Sequence, residues 1–216
     1  MALALVSDLR TSITSWLYGR SDIAAQADDF IKLAESSINY GIRDPATGQT
    51  VKLRTRNMET TTTITPDSNG QATIPTDYLE FRQVTSTDNP RRNLNLIAPS
   101  FAEERYGYRE SDLPDSFAII GTKIHLYPVS TTEIELTYYA KVPALSDSNT
   151  SNWLLTAYPN IYLDGSLYHA SRWLRNNDAD MAMFLTSFVA GMQTLSDSDT
   201  SGRWSRASSS SSGQKP

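Results

Sequence analysis

The sequence predicts an α+β fold: a helical bundle made from N- and C-terminal helices, an antiparallel β-sheet domain inserted between them, and an extended C-terminal tail. Three observations predict it. Apolar residues recur at helical spacing from Leu5 to Ile38 and again from Pro159 to Leu195. The stretch between them is rich in Thr, Ile, Val and Tyr and is cut by turn residues. Strand-like and helix-like segments do not alternate, which argues against a parallel βαβ sheet. The divisions read as 1–58 for the N-terminal helices, 59–142 for the β-rich part, 143–197 for the C-terminal helices and 198–216 for a flexible Ser-rich tail.

The elements follow in order. Leu5, Val6, Leu9, Ile13, Trp16 and Leu17 mark one face of a first helix, stopped by Gly19. A second helix is capped by Ser21 and carries the stripe Ile23, Ala27, Phe30, Ile31, Ala34 and Ile38, with Gly41 near its end. "RDPATGQT" is turn chemistry. "ETTTTITPDSNGQATIPTDYLEFRQVTST" reads as two or three strands, the first two joined as a hairpin over Asn69-Gly70. "NLNLIA" reads as a short strand and "PSFAEERYG" as one or two helical turns between Pro99 and Gly107. "FAII" and "KIHLYP" read as strands about Gly121-Thr122, and Ile134, Leu136 and Tyr138 fall on one face of a last strand. A short helical turn sits in "NWLLTAYP". Pro159 opens a mostly buried helix with Ile161, Gly165, Tyr168 and Arg172 as its stripe, widened by Leu163, Leu167, Ala170 and Leu174. Asp178 caps a final helix carrying Met183, Phe184, Phe188, Met192 and Leu195.

The 216 residues suit one domain, or one domain with an appendage. Cysteine is absent, which removes disulfides, thiolate catalysis and Cys-type zinc sites. The net charge of −5 is wrong for an ordinary basic nucleic-acid binder. That charge is uneven: Arg203, Arg206 and Lys215 follow residue 200 with no acid among them, so the −5 total less these +3 leaves −8 on residues 1–200. No apolar run approaches the ~20 residues of a membrane span. "MALALVSDLR" lacks the basic start and the apolar length of a signal peptide. A soluble, intracellularly made protein is the expectation.

Chemistry finds little to work with. Asp164, Ser166 and His169 lie in one helix, but Asp164 and His169 are five residues apart and so diverge around it. Ser166 has no nucleophile elbow. His125 falls on the solvent face of its strand. Asp28-Asp29 and Glu103-Glu104 read as solvated helix faces, and Asp178 and Asp180 suit a helix start. No catalytic, cofactor or metal residue is predicted. Arg54, Arg56, Arg91 and Arg92 read either as contacts to phosphate or to a tail partner's acids, or as exposed strand ends. Trp153, Tyr158, Tyr162, Tyr168 and Trp173 read as core or subunit interface.

An ordered set of phrases carries a resemblance. "LRTRNMET" follows a helix; a Thr-rich strand and "GQATIPTDYLEFRQV" come next. "YYAKVPALS", "NWLL" and "YP" follow between Tyr138 and Pro159, before a final helix and a polar tail. In the strand start Ile74-Pro75-Thr76-Asp77-Tyr78-Leu79-Glu80, and in the Tyr138 to Pro159 passage, the chain resembles the head-to-tail adaptor (connector) family of tailed phages, particularly the short-tailed type. The likeness covers Ser21 to Leu195, with 44–52 standing as an insertion.

The resemblance implies a non-enzymatic virion protein without cofactors: a dodecameric ring between the capsid portal and the tail nozzle or tail fibre proteins, lining a channel for the viral dsDNA. It implies assembly in the host cytoplasm and a final place in the virion neck, with no membrane. It assigns portal binding to Arg203, Trp204, Arg206 and Lys215, and subunit or bundle packing to Trp153, Tyr158, Tyr162 and Trp173. Two readings compete. One is another tail-tube or head-completion protein. The other is a small hydrolase or carbohydrate-binding module, which needs converging carboxylates or exposed coplanar aromatics such as Tyr106, Tyr108, Tyr138 and Tyr139.

Overall fold

The apolar stripe of the second helix is the clearest local signal in the chain, and the whole of it is buried. α2 runs Ser21–Tyr40 and buries Ile23, Ala27, Phe30, Ile31, Ala34 and Ile38. The computed structural model describes residues 3–106, 112–175 and 178–204, and for 202–204 the backbone alone. Within these residues the fold is α+β: N- and C-terminal helices pack together, and two small sheets are inserted between them in sequence. The chain divides into a helical unit, residues 1–57 and 141–216, and a β-rich unit, residues 58–140.

In the helical unit, α1 (Val6–Trp16) and α2 join α4 (Trp153–Ala157), α5 (Pro159–Leu174) and α6 (Asp178–Trp204). A short hairpin of β1 (Ile42–Arg43) and β2 (Thr50–Val51) follows α2. α5 is the central helix. It packs on α1, α2, α4 and α6 and buries Ile161, Tyr162, Leu163, Gly165, Ser166, Leu167, Ala170 and Ser171. Gly165 marks a close approach of three helices: a Cβ there would lie 2.9 Å from Phe188 Cε2 on α6 and 3.1 Å from Ala34 Cβ on α2. Glycine is needed because neighbouring side chains already fill the space.

Several local expectations are corrected. Arg20, not Ser21, occupies the N-cap of α2, and no side chain caps it. Trp16 is 57% exposed and only its edge meets Phe184, because α1 buries Val6, Leu9 and Ile13 and then ends. Met183 is exposed while its neighbour Phe184 is buried. Arg172 lies outside the buried face of α5, and Tyr168 is only half-buried. α6 stays helical past Ser198, where the sequence suggests a tail, through Trp204.

The β-rich unit holds two four-stranded sheets. In the first, β10 (Ile134–Ala140) pairs antiparallel with both β3 (Glu59–Ile64) and β5 (Tyr78–Ser86), and β6 (Arg92–Asn93) closes the far edge. The second orders β4 (Gln71–Thr73), β9 (Lys123–Tyr127), β8 (Ser116–Ile120) and β7 (Asn95–Leu96), the β7–β8 pair alone being parallel. The expected hairpin over Gly121-Thr122 forms between β8 and β9. The one expected over Asn69-Gly70 does not. A turn exists there, with Asp67 accepting from the Asn69 and Gln71 N–H groups at 2.8 and 3.0 Å, but β3 and β4 leave it into different sheets. "NLNLIA" is likewise divided: Leu94 is buried at the crossing, with β6 in one sheet and β7 in the other.

The sheets share one core. Val84, Ile134, Leu136 and Tyr138 come from the first sheet, and Phe117, Ile124 and Leu126 from the second. The period-2 alternation of β10 puts Ile134, Leu136 and Tyr138 inside. α3 (Pro99–Tyr106) is pinned to this unit by Tyr106, which is buried, bonds to Asp115 and Ser116, and stacks on Tyr127.

Gly165→Ala should destabilise the protein by about 1–3 kcal/mol through overpacking against Phe188 and Ala34. Gly191→Ala, whose nearest neighbour is Ile161 Cγ1 at 3.2 Å, should cost less, since the approach is looser and alanine favours the helix. Urea unfolding of the two variants checks this, and equal effects would refute it.

Candidate functional site

Two features stand out from the residues upward: a buried polar cluster inside the helical unit, and ion pairs at its surface. The cluster begins with Glu35, a charged residue on the buried side of α2. Burial of a carboxylate is costly unless hydrogen bonds replace water. Here the Leu145 N–H donates to Glu35 Oε1 at 2.7 Å and Tyr162 Oη donates to it at 3.3 Å. Asn152 Nδ2 donates to Tyr162 Oη and to the Pro143 carbonyl, both at 2.7 Å. Asn152 Oδ1 accepts from the Leu155 N–H at 2.8 Å and so caps α4. One turn along α2, Asn39 Oδ1 accepts from the Val142 N–H at 3.0 Å. Together these side chains fasten the segment from Val142 to Leu155 onto α2 and α5. Burial holds the Glu35 carboxyl above its ordinary 4.5. Burial, with the nearby Glu35 charge second, raises the Tyr162 hydroxyl.

The cluster lies away from solvent, and its hydroxyl–carboxyl pair, Tyr162 and Glu35, is tied to Asn152 and to the Leu145 N–H. His169 Nε2 meets Ser37 Oγ at 3.2 Å. Desolvation, with the Arg172 charge second, pushes its imidazole down to about 4. Asp164 instead accepts from Ser187 Oγ on α6 at 2.6 Å, so the divergence expected around α5 is observed. His125 is half-buried between the buried Ile124 and Leu126. Among the described residues no group of His, Asp and Glu could hold a metal ion. A cleft of about 160 Å³ beside α1 and α2 is crossed by Arg10, which pairs with Asp28 at 2.6 Å and Asp147 at 2.8 Å. That is smaller than ordinary ligand sites of ~300–1,000 Å³.

The remaining sequence-predicted residues are dispersed. Tyr162 is fully buried, Trp153 and Tyr158 are half-buried, and Trp173 is 49% exposed with its edge on Phe30. Arg54 donates to the Asn39 carbonyl at 3.0 Å and to its neighbour Leu53 at 2.6 Å. Arg56 pairs with Asp199 at 2.7 Å, and Arg91 with Glu135 at 2.9 Å. Arg92 is exposed on the edge strand β6. The side chains of Arg203 and Trp204, and all of Arg206 and Lys215, lie outside the described residues. The aromatic platform needed for a carbohydrate site is overturned: Tyr106, Tyr138 and Tyr139 are buried, and Tyr108 lies outside the described residues. Sequence reasoning missed Glu35, Asn152 and Asp199. The only local trace of Asn152 is its place as an N-cap before "WLL".

Residues 4–211 match the family described as SU10 adaptor protein. The chain belongs to that family. A phage adaptor of this kind is a structural protein, and the family is generally non-enzymatic. No curated protein matches the adaptor. No helix among its described residues is long and apolar enough to cross a membrane.

The buried Glu35 and the half-buried His169 give the adaptor pH dependences of opposite sign. Glu35 is raised in the folded state, so its ionisation opposes folding, and stability falls as pH rises from 4.5 through the raised value. His169 is lowered, so its protonation opposes folding, and stability falls as pH drops from 6.5 to about 4. Glu35→Gln should flatten the upper limb and His169→Gln the lower one, read by urea unfolding across that range. Glu35→Ala should cost about 2–4 kcal/mol, because it leaves the Leu145 N–H and the Tyr162 hydroxyl without an acceptor. If His169→Gln changes the upper limb instead, the assignment is wrong.

Proposed function

We propose that the adaptor assembles as a ring, dodecameric by resemblance, that joins the capsid portal to the tail nozzle or tail fibre proteins and lines the path of the viral dsDNA. The match over residues 4–211 carries this reading. Two physical features support it. Large apolar side chains remain exposed on the helical unit, among them Trp173, Leu33 and Tyr40, as surfaces that a neighbouring copy would cover. In a head-to-tail ring each copy meets its neighbours through two different surfaces, so such residues need not form a self-complementary patch. Residues 1–200 carry −8, and a ring of such bodies repels the phosphate backbone and lets DNA slide without sticking.

The tail has the opposite character. Arg203, Trp204, Arg206 and Lys215, in a Ser-rich segment with no acid, suit a chain that orders on a partner and take the portal-binding role. Trp153, Tyr158 and Trp173 serve neighbouring copies or the bundle edge. Arg92, exposed on the edge strand of the first sheet, is the contact offered to a tail protein, while Arg91 is engaged by Glu135. Arg54 and Arg56 are engaged within the helical unit and contribute there instead.

Mass photometry of the purified protein, with and without the portal ring of the same virion, tests this. The expected result is a fixed multiple of adaptors on each portal ring. A chain ending at Gly202 should lose that binding. His169→Ala should leave assembly intact, while Trp173→Ala should impair it. A full chain that ignores the portal would end the adaptor-ring reading.

A further inference from the structure

The last turns of α6 are hard to explain by helix propensity. Ser196 to Gly202 reads SDSDTSG, residues that favour caps and turns over helix interiors. Yet the segment is helical through Trp204. Between Ser196 and Ser201, Asp199 is the one buried side chain. It accepts from the Arg56 backbone N–H at 3.2 Å and from Arg56 Nε at 2.7 Å. Arg56 opens the 3-10 turn Arg56–Met58, where the helical unit gives way to the β-rich one. An acid in a segment of weak helix propensity is thus held by a residue 143 positions away.

We propose that the Arg56–Asp199 pair is a positioning latch: it holds the end of α6 helical and fixes the point from which the basic segment beginning at Arg203 reaches the portal. This rests on the portal-binding role of the tail. A tail that starts from an ordered helix end loses less freedom on binding than one that starts from a frayed one, and preorganisation of this kind strengthens binding. Arg56 is therefore a positioning residue that need not touch the portal at all.

Hydrogen exchange over residues 196–204 in the full-length protein, together with portal-ring affinity, tests the latch. Arg56→Ala is the main variant, since Arg56 is 57% exposed and the change removes the Nε donor to Asp199. It should speed exchange in 196–204, leave α2 and α5 protected, and weaken portal binding about fivefold. Arg56→Lys should restore part of both effects, and Asp199→Asn should resemble Arg56→Ala. Unchanged exchange, or unchanged affinity while the chain ending at Gly202 fails to bind, would overturn the latch. If the chain ending at Gly202 binds as the full chain does, the tail's portal role is what fails, and the latch loses its purpose with it.

Discussion

The carboxylate of Glu35 is the constraint on which the helical unit depends. The chain leaves this unit after Asn57 and returns at Lys141, so the unit must close across an insertion of 83 residues, 58–140. Hydrophobic burial alone does not specify where a returning segment docks, because it is non-directional. Glu35 and Asn39 supply direction. They accept the Leu145 and Val142 N–H groups and so fix where the returning segment lies on α2. Tyr162 and Asn152 extend the same network to α5 and to the cap of α4. Raised pKa values at Glu35 and Tyr162 follow from placing these polar groups in the core, and show that the arrangement costs solvation to obtain specificity.

The β-rich unit closes by a different device. β10 is the last strand in sequence but lies inside the first sheet, between β3 and β5. Its pairing with both means that this sheet cannot complete until the chain has passed through the whole insertion. The second sheet centres on β8 and β9, which are joined by a local turn. The outward positions of the first sheet are polar, with Thr61 and Thr137 bonded at 3.0 Å and Gln83 bonded to Asn93 at 2.7 Å. Such a face is satisfied in water, and the apolar pattern of the strands is spent on the shared core.

What was legible in the sequence is what depends on local periodicity. The α2 stripe, the burial of Ile134, Leu136 and Tyr138, and the β8–β9 hairpin were all readable because each is set by neighbours within a few positions. The Asn69-Gly70 turn shows the limit. Its chemistry was read correctly, but whether two strands leaving a turn pair with each other is decided by other strands far away in sequence. Trp16 was misplaced for a related reason: the helical period puts it on the apolar side, and the helix ends before a partner covers it. Glu35, Asn152 and Asp199 were invisible because each looks like an ordinary surface residue until its partner arrives from more than a hundred positions away or from a loop without periodicity.

Similar partnerships engage other titratable groups of the bundle. Asp164 bonds Ser187, Glu35 bonds Leu145 and Tyr162, and the half-buried His169 meets Ser37. Each of these bonds ties one helix or segment to another, so a change of partner would disturb the packing. What the bundle leaves outside includes exposed aromatics such as Trp173 and Tyr40. The buried polar contacts hold the packing behind them, so residues that look ordinary in the sequence are the ones that fix the bundle.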